Sequence, residues 1–307
     1  MQPFGKRLRS YDGYYIAIAL VSTFLCCLLL LPKICPGCGP GTSTLIAFVN
    51  ALGGGNPLIR YLPIQRTAPG NITLLAIGDS ITFGLWSSGP FNGYRLCLLN
   101  LLTGTEPVWS VNQTVSPDAL FQHVTYVGSS RIGNFSNNRH QGEGGETIAR
   151  IQYLFERAVE NYGAAPDAVL LMAGANDINE DVDLPRAPSR LGDLIDALFW
   201  RFPRTVVIVS ELTPVKNNAT LERRKIAFNE AVPALIEARE RLNWKIIGVN
   251  MSAVFELPHD MADTLHPSDA GYAKMATEWL RGLTEAKDRG WFDWGADDED
   301  ASAIDDG

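Results

Sequence analysis

Residues 71–84 read Asn71-Ile72-Thr73-Leu74-Leu75-Ala76-Ile77-Gly78-Asp79-Ser80-Ile81-Thr82-Phe83-Gly84. The unbroken apolar run Leu74 to Ile77 is the pattern of a strand buried on both faces, and such strands belong to parallel sheets covered by helices. Gly78 ends the run and delivers an acidic residue and a hydroxyl where the strand should stop. In an open α/β sheet, ligands and chemistry sit outside the carboxyl ends of the strands. Ser80 is therefore a candidate nucleophile. The triplet alone leaves a second reading open, because Asp and Ser after a strand also turn the chain and cap the next helix. The choice rests on whether the chain supplies partners for a reactive serine.

Working outward, strand-like runs recur at 124–127, 168–172, 206–209 and 245–249. Helical patterns lie between and after them, at 94–102, 146–162, 189–202, 221–242 and 268–283. In the fourth, Phe228, Val232, Leu235, Ile236 and Leu242 mark an apolar face, Arg223, Arg224, Glu237 and Arg241 turn outward, and Pro233 is expected to kink the helix. Alternating short strands and helices predict one α/β domain with a parallel sheet over about residues 65–294. Trp291, Phe292 and Trp294 are expected to close its core.

The 307 residues are 46% hydrophobic and 20% charged, enough for a full core. A net charge of −8 argues against a nucleic-acid partner, which needs a basic footprint. Residues 295–307 carry Asp297-Asp298-Glu299-Asp300 and read as an acidic, solvated tail. At the other end, a basic segment (1–13) precedes an apolar stretch (14–32), whose run at 16–31 reads as a signal anchor or a cleaved signal peptide. Membrane attachment through this segment, with the domain lumenal or extracellular, or secretion after cleavage, is the expectation. The Asn-x-Ser/Thr sites at Asn71, Asn112, Asn134, Asn218 and Asn250 fit that route and a eukaryotic glycoprotein. Residues 33–64, rich in Gly and Pro, read as a stem. Cys97, between Leu96 and Leu98, is expected to be a buried thiol, whereas Cys26, Cys27, Cys35 and Cys38 lie outside the domain.

A serine nucleophile needs a base, a group that orients the base, and donors for the oxyanion. His123 enters a strand, His140 sits among polar loop residues and His259 follows Pro258. His266 differs, because Asp263 lies three positions ahead of it in Asp263-Thr264-Leu265-His266, just before the last helix. Strand 168–172 runs into Ala173-Gly174-Ala175-Asn176-Asp177, which brings an amide side chain to the sheet edge occupied by Ser80. Gly142-Glu143-Gly144-Gly145-Glu146-Thr147 precedes a helix and can aim backbone N–H groups at an anion, or simply cap that helix. Asp177, Asn179, Asp181 and Asp183 alternate as in a calcium loop, but Val182 and Pro188 stand where its turn glycine and bidentate acid belong, so an acidic surface loop is expected. Trp86, Phe91 and Tyr94, close to Ser80 in sequence, are candidates for stacking a sugar.

Together, in this order, Gly78-Asp79-Ser80, the glycine segment around Gly145, Gly174-x-Asn176-Asp177 and Asp263-x-x-His266 resemble the four blocks of the SGNH hydrolases, or GDSL esterases. The likeness spans about residues 72–285. Asn92-Gly93-Tyr94-Arg95, Tyr126-Val127-Gly128-Ser129 and Gly271-Tyr272 are similar to the carbohydrate-esterase branch typified by fungal acetylxylan esterases. That branch often carries an aromatic residue where this chain has Glu146.

The resemblance implies a three-layer α/β/α, flavodoxin-like fold and a cofactor-free serine esterase acting on short acyl esters of a carbohydrate. It implies Ser80 as nucleophile, His266 as base and Asp263 as its orienting group. The oxyanion donors are then the Ser80 amide, Asn176 and a second-block glycine, with Gly145 preferred over Gly142 or Gly144. A lipase or lysophospholipase of the same superfamily, or an inactive carbohydrate-binding surface protein on the same scaffold, are the competing expectations.

Overall fold

The structure, a computed structural model, describes residues 70–105 and 119–292. The expected basic segment, apolar stretch, stem and acidic tail lie outside the described residues, as do Asn112 and Trp294. Among the described residues, no helix is long and apolar enough to cross a membrane.

The quoted apolar run forms strand β1 (Asn71–Gly78), with Leu74, Leu75, Ala76 and Ile77 fully buried. On one side β1 pairs in parallel with β5 (Ala168–Met172), and β5 continues through β6 (Val206–Ser210) to β7 (Ile246–Val249). On its other side the first half of β1 pairs with β2 (His123–Val127) and its end pairs with β4 (Arg139–Gly142). Strand order β2-β1-β5-β6-β7 reverses direction between β1 and β5. That reversal makes the crevice at the ends of β1 and β5 the topological switch point, the place where such sheets bind ligands.

Helices follow the strands: α1 (Ser80–Phe83), α2 (Gly93–Thr103), α3 (Ile148–Ala158), α4 (Ala175–Asn179), α5 (Ala187–Arg201), α6 (Ala219–Asn229), α7 (Val232–Glu240), α8 (Met251–Val254) and α9 (Asp269–Asp288). Helices α2 and α9 pack together on one face of the sheet, α3 and α5 on the other. Between α2 and α9, Trp279 is fully buried against Tyr94, with ring centroids 5.7 Å apart. Phe292 meets Phe121 edge-on, and both Trp291 and Phe292 pack, partly buried, against the core. Cys97 is a buried free thiol.

Three expectations need correction. The single helix over 221–242 is two helices, because Pro233 sits in the first turn of α7, where its missing N–H is harmless, and starts a helix instead of bending one. Leu242 consequently falls beyond the end of α7 and is exposed. A short antiparallel pair, β3 (Ser130–Arg131) with β4, occupies what reads as a polar loop, and it takes His140 into the interior. The segment 146–162 becomes helical only at Ile148 and ends as a 3₁₀ turn at Val159–Asn161.

Candidate active site

The end of β1 leaves no room for a side chain at Gly78: a Cβ there would stand 2.1 Å from the Met172 carbonyl oxygen of β5. This close approach lets the chain turn sharply into α1. Asp79 caps that helix, its Oδ1 accepting from the Ile81 amide at 3.0 Å. Ser80 is the first helical residue, and its Oγ lies 2.9 Å from Nε2 of His266.

His266 is delivered by the turn ahead of α9. Asp263 holds it three ways, accepting at Oδ1 from the His266 amide (2.7 Å) and the Leu265 amide (2.8 Å) and facing the ring nitrogen Nδ1 at 2.9 Å through Oδ2. Burial raises the Asp263 carboxyl, but the bonds from the His266 amide and ring and the Leu265 amide outweigh it and hold the group below the usual carboxylate range. An ionised carboxylate on Nδ1 keeps the proton there and leaves Nε2 as an acceptor toward the serine hydroxyl. Lys216, from the loop after β6, brackets this turn through its amide to the Thr264 carbonyl (2.9 Å) and its Nζ to the Met261 carbonyl (2.8 Å).

The glycine segment approaches from β4. Its start is fixed by the Glu143 amide, which donates to the Gly78 carbonyl at 2.9 Å. Gly142 is excluded as an anion donor, because its amide is bound to Nδ1 of His140 at 2.9 Å. Among the described residues no hydrogen bond occupies the amides of Gly144 or Gly145. Gly145 adopts a left-handed φ of 79°, which glycine takes without strain. Asn176, the second residue of α4, donates from Nδ2 to the Glu146 carbonyl at 2.9 Å, which leaves its second amide hydrogen unused among the described residues. The segment that carries Gly145 is thus bound through Glu143 to Gly78, two residues before Ser80, and through Glu146 to Asn176.

Two buried groups escaped sequence reasoning. His140 is neutral, its pKa lowered to about 3 by burial and by the charge of Arg95. Arg95 itself is fully buried and donates to the carbonyls of Thr82, Phe83, Phe91, Ile132 and Asn138, tying α1 and the loop after it to the 132–138 loop. Only the position of Arg95 on a helix with apolar neighbours signalled its burial. The carboxyl of Asp79 is pushed up to about 6 by burial, against the opposing pull of the Ile81 amide and of His266. Among the described residues Asp79 Oδ2 is buried with no hydrogen-bond partner.

The three aromatic candidates separate cleanly. Tyr94 is fully buried, with its hydroxyl 3.3 Å from Thr82 Oγ1 and its ring on Trp279, so it belongs to the core and presents no face to a sugar. Phe91 is half-buried edge-on to Phe83. Trp86 is 61% exposed at a positive φ of 66°, in a loop pinned by the Tyr272 hydroxyl on the Leu85 carbonyl (2.6 Å) and by Asp269 Oδ1, which accepts from the Ser88 amide (2.9 Å). The acidic run also differs from expectation. Asp181 and Asp183 face Arg224 and Arg186 at the surface, but Asp177 is fully buried and paired with Arg190.

Residues 76–274 match the model of the GDSL-like lipase/acylhydrolase family. A multidomain esterase from Ruminococcus flavefaciens is 28% identical over 242 residues, covering 73% of this chain and 30% of the relative, so the chain spans under a third of that protein's length. A family 3 carbohydrate esterase from Clostridium thermocellum has a similar structure, with TM-score 0.56 and 26% identity over 69% of this chain and 94% of that one. A family 3 carbohydrate esterase from Talaromyces cellulolyticus shares the fold at TM-score 0.53 and 22% identity, over 70% and 97% of the two chains. With its four sequence blocks assembled at one sheet edge and most of its domain matched, the chain belongs to the GDSL-like lipase/acylhydrolase family.

Proposed function

We propose that the chain is a serine esterase that removes acetyl or another short acyl group from a carbohydrate through an acyl-enzyme. The observation that carries this reading is the continuous relay from Ser80 Oγ through His266 to Asp263, at 2.9 Å per step. His266 Nε2 takes the Ser80 proton as Oγ attacks the ester carbonyl. The oxyanion that forms is met by the amides of Ser80 and Gly145 and by Asn176 Nδ2. His266 gives that proton to the leaving sugar oxygen. It then takes one from a water that attacks the acyl carbonyl, and returns it to Ser80 Oγ as the acyl–oxygen bond breaks and the acid departs. Every step uses groups the chain itself supplies, and no cofactor enters.

Carbohydrate as the alcohol side of the ester is supported by the 26% identical carbohydrate esterase and by Trp86. An exposed indole held at a strained φ on a pinned loop suits a sugar-stacking platform, with half-buried Phe91 five residues further on. Delivery of the domain outside the cytosol by the 14–32 segment belongs to the same proposal. It is supported by Asn134, Asn218 and Asn250, which stand exposed in their sequons.

A panel of acetylated mono- and oligosaccharides, set beside long-chain glycerol and lysophospholipid esters, tests this reading. Turnover of the acetylated sugars is expected. Turnover confined to long acyl chains would replace it with a lipase reading, and binding of sugar with no turnover of any ester would replace it with a binding role.

A further inference from the structure

Asn176 and Asp177 are neighbours in α4, and both reach across to the segment that carries Gly145. Asn176 Nδ2 binds the Glu146 carbonyl at 2.9 Å, and Asp177 Oδ2 accepts from the Ile148 amide at 2.8 Å. Ile148 opens α3. Thr147 stands at that helix's N-cap but its side chain makes no capping bond, so the orphan donor finds its acceptor 29 residues away in sequence. The cap is itself fixed. Asp177 Oδ1 accepts from Arg190 Nε (3.1 Å) and Nη2 (2.8 Å), and Arg190 also donates to the Val182 and Asp183 carbonyls. A fully buried carboxylate with an arginine on one oxygen and a helix N-terminus on the other has little freedom to move.

Gly145 lies between the anchored points. Among the described residues nothing stands within 4 Å of where its Cβ would be, so its own surroundings there do not fix it. Its place is inherited from Glu143, bound to Gly78, and from Glu146 and Ile148, bound to Asn176 and Asp177. We infer that Asp177, held by Arg190, is a positioning residue that sets the distance between the Gly145 amide and Asn176 Nδ2 in the oxyanion hole. This rests on the esterase reading above. Misplacing one donor by about 1 Å is enough to lower turnover on the order of 10²-fold, because the hole acts on the transition state and not on bound substrate.

The test uses the full chain with p-nitrophenyl acetate as probe, rates being expressed per site titrated with a fluorophosphonate. Asp177→Ala is expected to lower kcat per titrated site by about 10- to 100-fold with KM within about two-fold of wild type. Asp177→Asn, whose amide oxygen can still accept from Ile148 but whose NH2 cannot accept from Arg190, should recover only part of that rate. In an Asn176→Ala background, where the hole is already incomplete, Asp177→Ala should cost less than about three-fold more. A loss confined to thermal stability or to the number of titratable sites, or an equal loss in both backgrounds, would overturn the inference. If Asp177→Ala does not fold, Arg190→Met loosens the carboxylate while leaving the cap in place, and an unchanged kcat per site in folded Arg190→Met would overturn it equally. Absence of any hydrolysis and labelling in the wild type would instead overturn the esterase reading, and this inference with it.

Discussion

Asn176 donates one amide hydrogen from Nδ2 to the Glu146 carbonyl at 2.9 Å, and that bond fixes the plane of the amide and so the direction of its other hydrogen. A donor oriented in advance stabilises charge that develops only in the transition state. Asn176→Ala is therefore expected to lower kcat by about 10²- to 10³-fold while KM for a small ester changes little. Steady-state kinetics of the purified variant check this, and a change carried mainly by KM would assign Asn176 to substrate binding instead.

Asp263 bears on the ring and amide of His266 and on the neighbouring Leu265 amide, so its removal should act on turnover through the imidazole. Asp263→Asn is expected to lower kcat on the order of 10³- to 10⁴-fold, because an amide cannot enforce the Nδ1–H tautomer. Since the carboxyl is held below the usual range, what it contributes to stability is present at neutral pH and is lost only as pH falls through its depressed pKa. Raising the pH of the assay should leave the variant's deficit in place.

Asp79 has the opposite sign. Its carboxyl is pushed up to about 6, so the folded protein binds a proton there that the unfolded chain has already lost. Its favourable contribution is fully present below the unfolded pKa, near 4, and disappears as pH rises through about 6. Asp79→Asn, which stays neutral, should gain stability relative to wild type between pH 5 and pH 8, by an amount on the order of 1.5 kcal/mol. Thermal melts across that range measure it, and melting curves shifted equally at both ends would show that Asp79 does not titrate there.

Arg95 satisfies five carbonyls from a fully buried position. No single lysine nitrogen can reach all of them, since the fork of donors is what spans the two loops. Arg95→Lys should destabilise the domain by about 2–4 kcal/mol in chemical denaturation. A loss below about 0.5 kcal/mol would mean that the carbonyls find water instead.

Strands β1, β5, β6 and β7 were legible from their apolar runs and β2 from the β-branched and aromatic residues of His123-Val124-Thr125-Tyr126-Val127, and all five lie within one or two residues of where the sequence places them. Strands β3 and β4 were not, because Ser130-Arg131 and Arg139-His140-Gln141-Gly142 are polar and owe their shape to pairing with each other and with β1. Ser80, Asn176, Asp263 and His266 could be picked out because the chemistry restricts residue type and order. Asp177 read as part of a surface loop, since its burial depends on Arg190, 13 residues later, and on Ile148, 29 residues earlier. Exposure of aromatics was equally hidden: Trp86 and Tyr94 are alike in sequence context, yet one faces solvent and the other fills the core between α2 and α9.

The central claim is that Ser80 is the nucleophile, and covalent trapping tests it most directly. A fluorophosphonate added to the full chain should modify the peptide containing Ser80 in step with the loss of ester hydrolysis, and Ser80→Ala should neither be labelled there nor turn over ester. Undiminished hydrolysis by Ser80→Ala, or inactivation accompanied by labelling at a different residue, would contradict it.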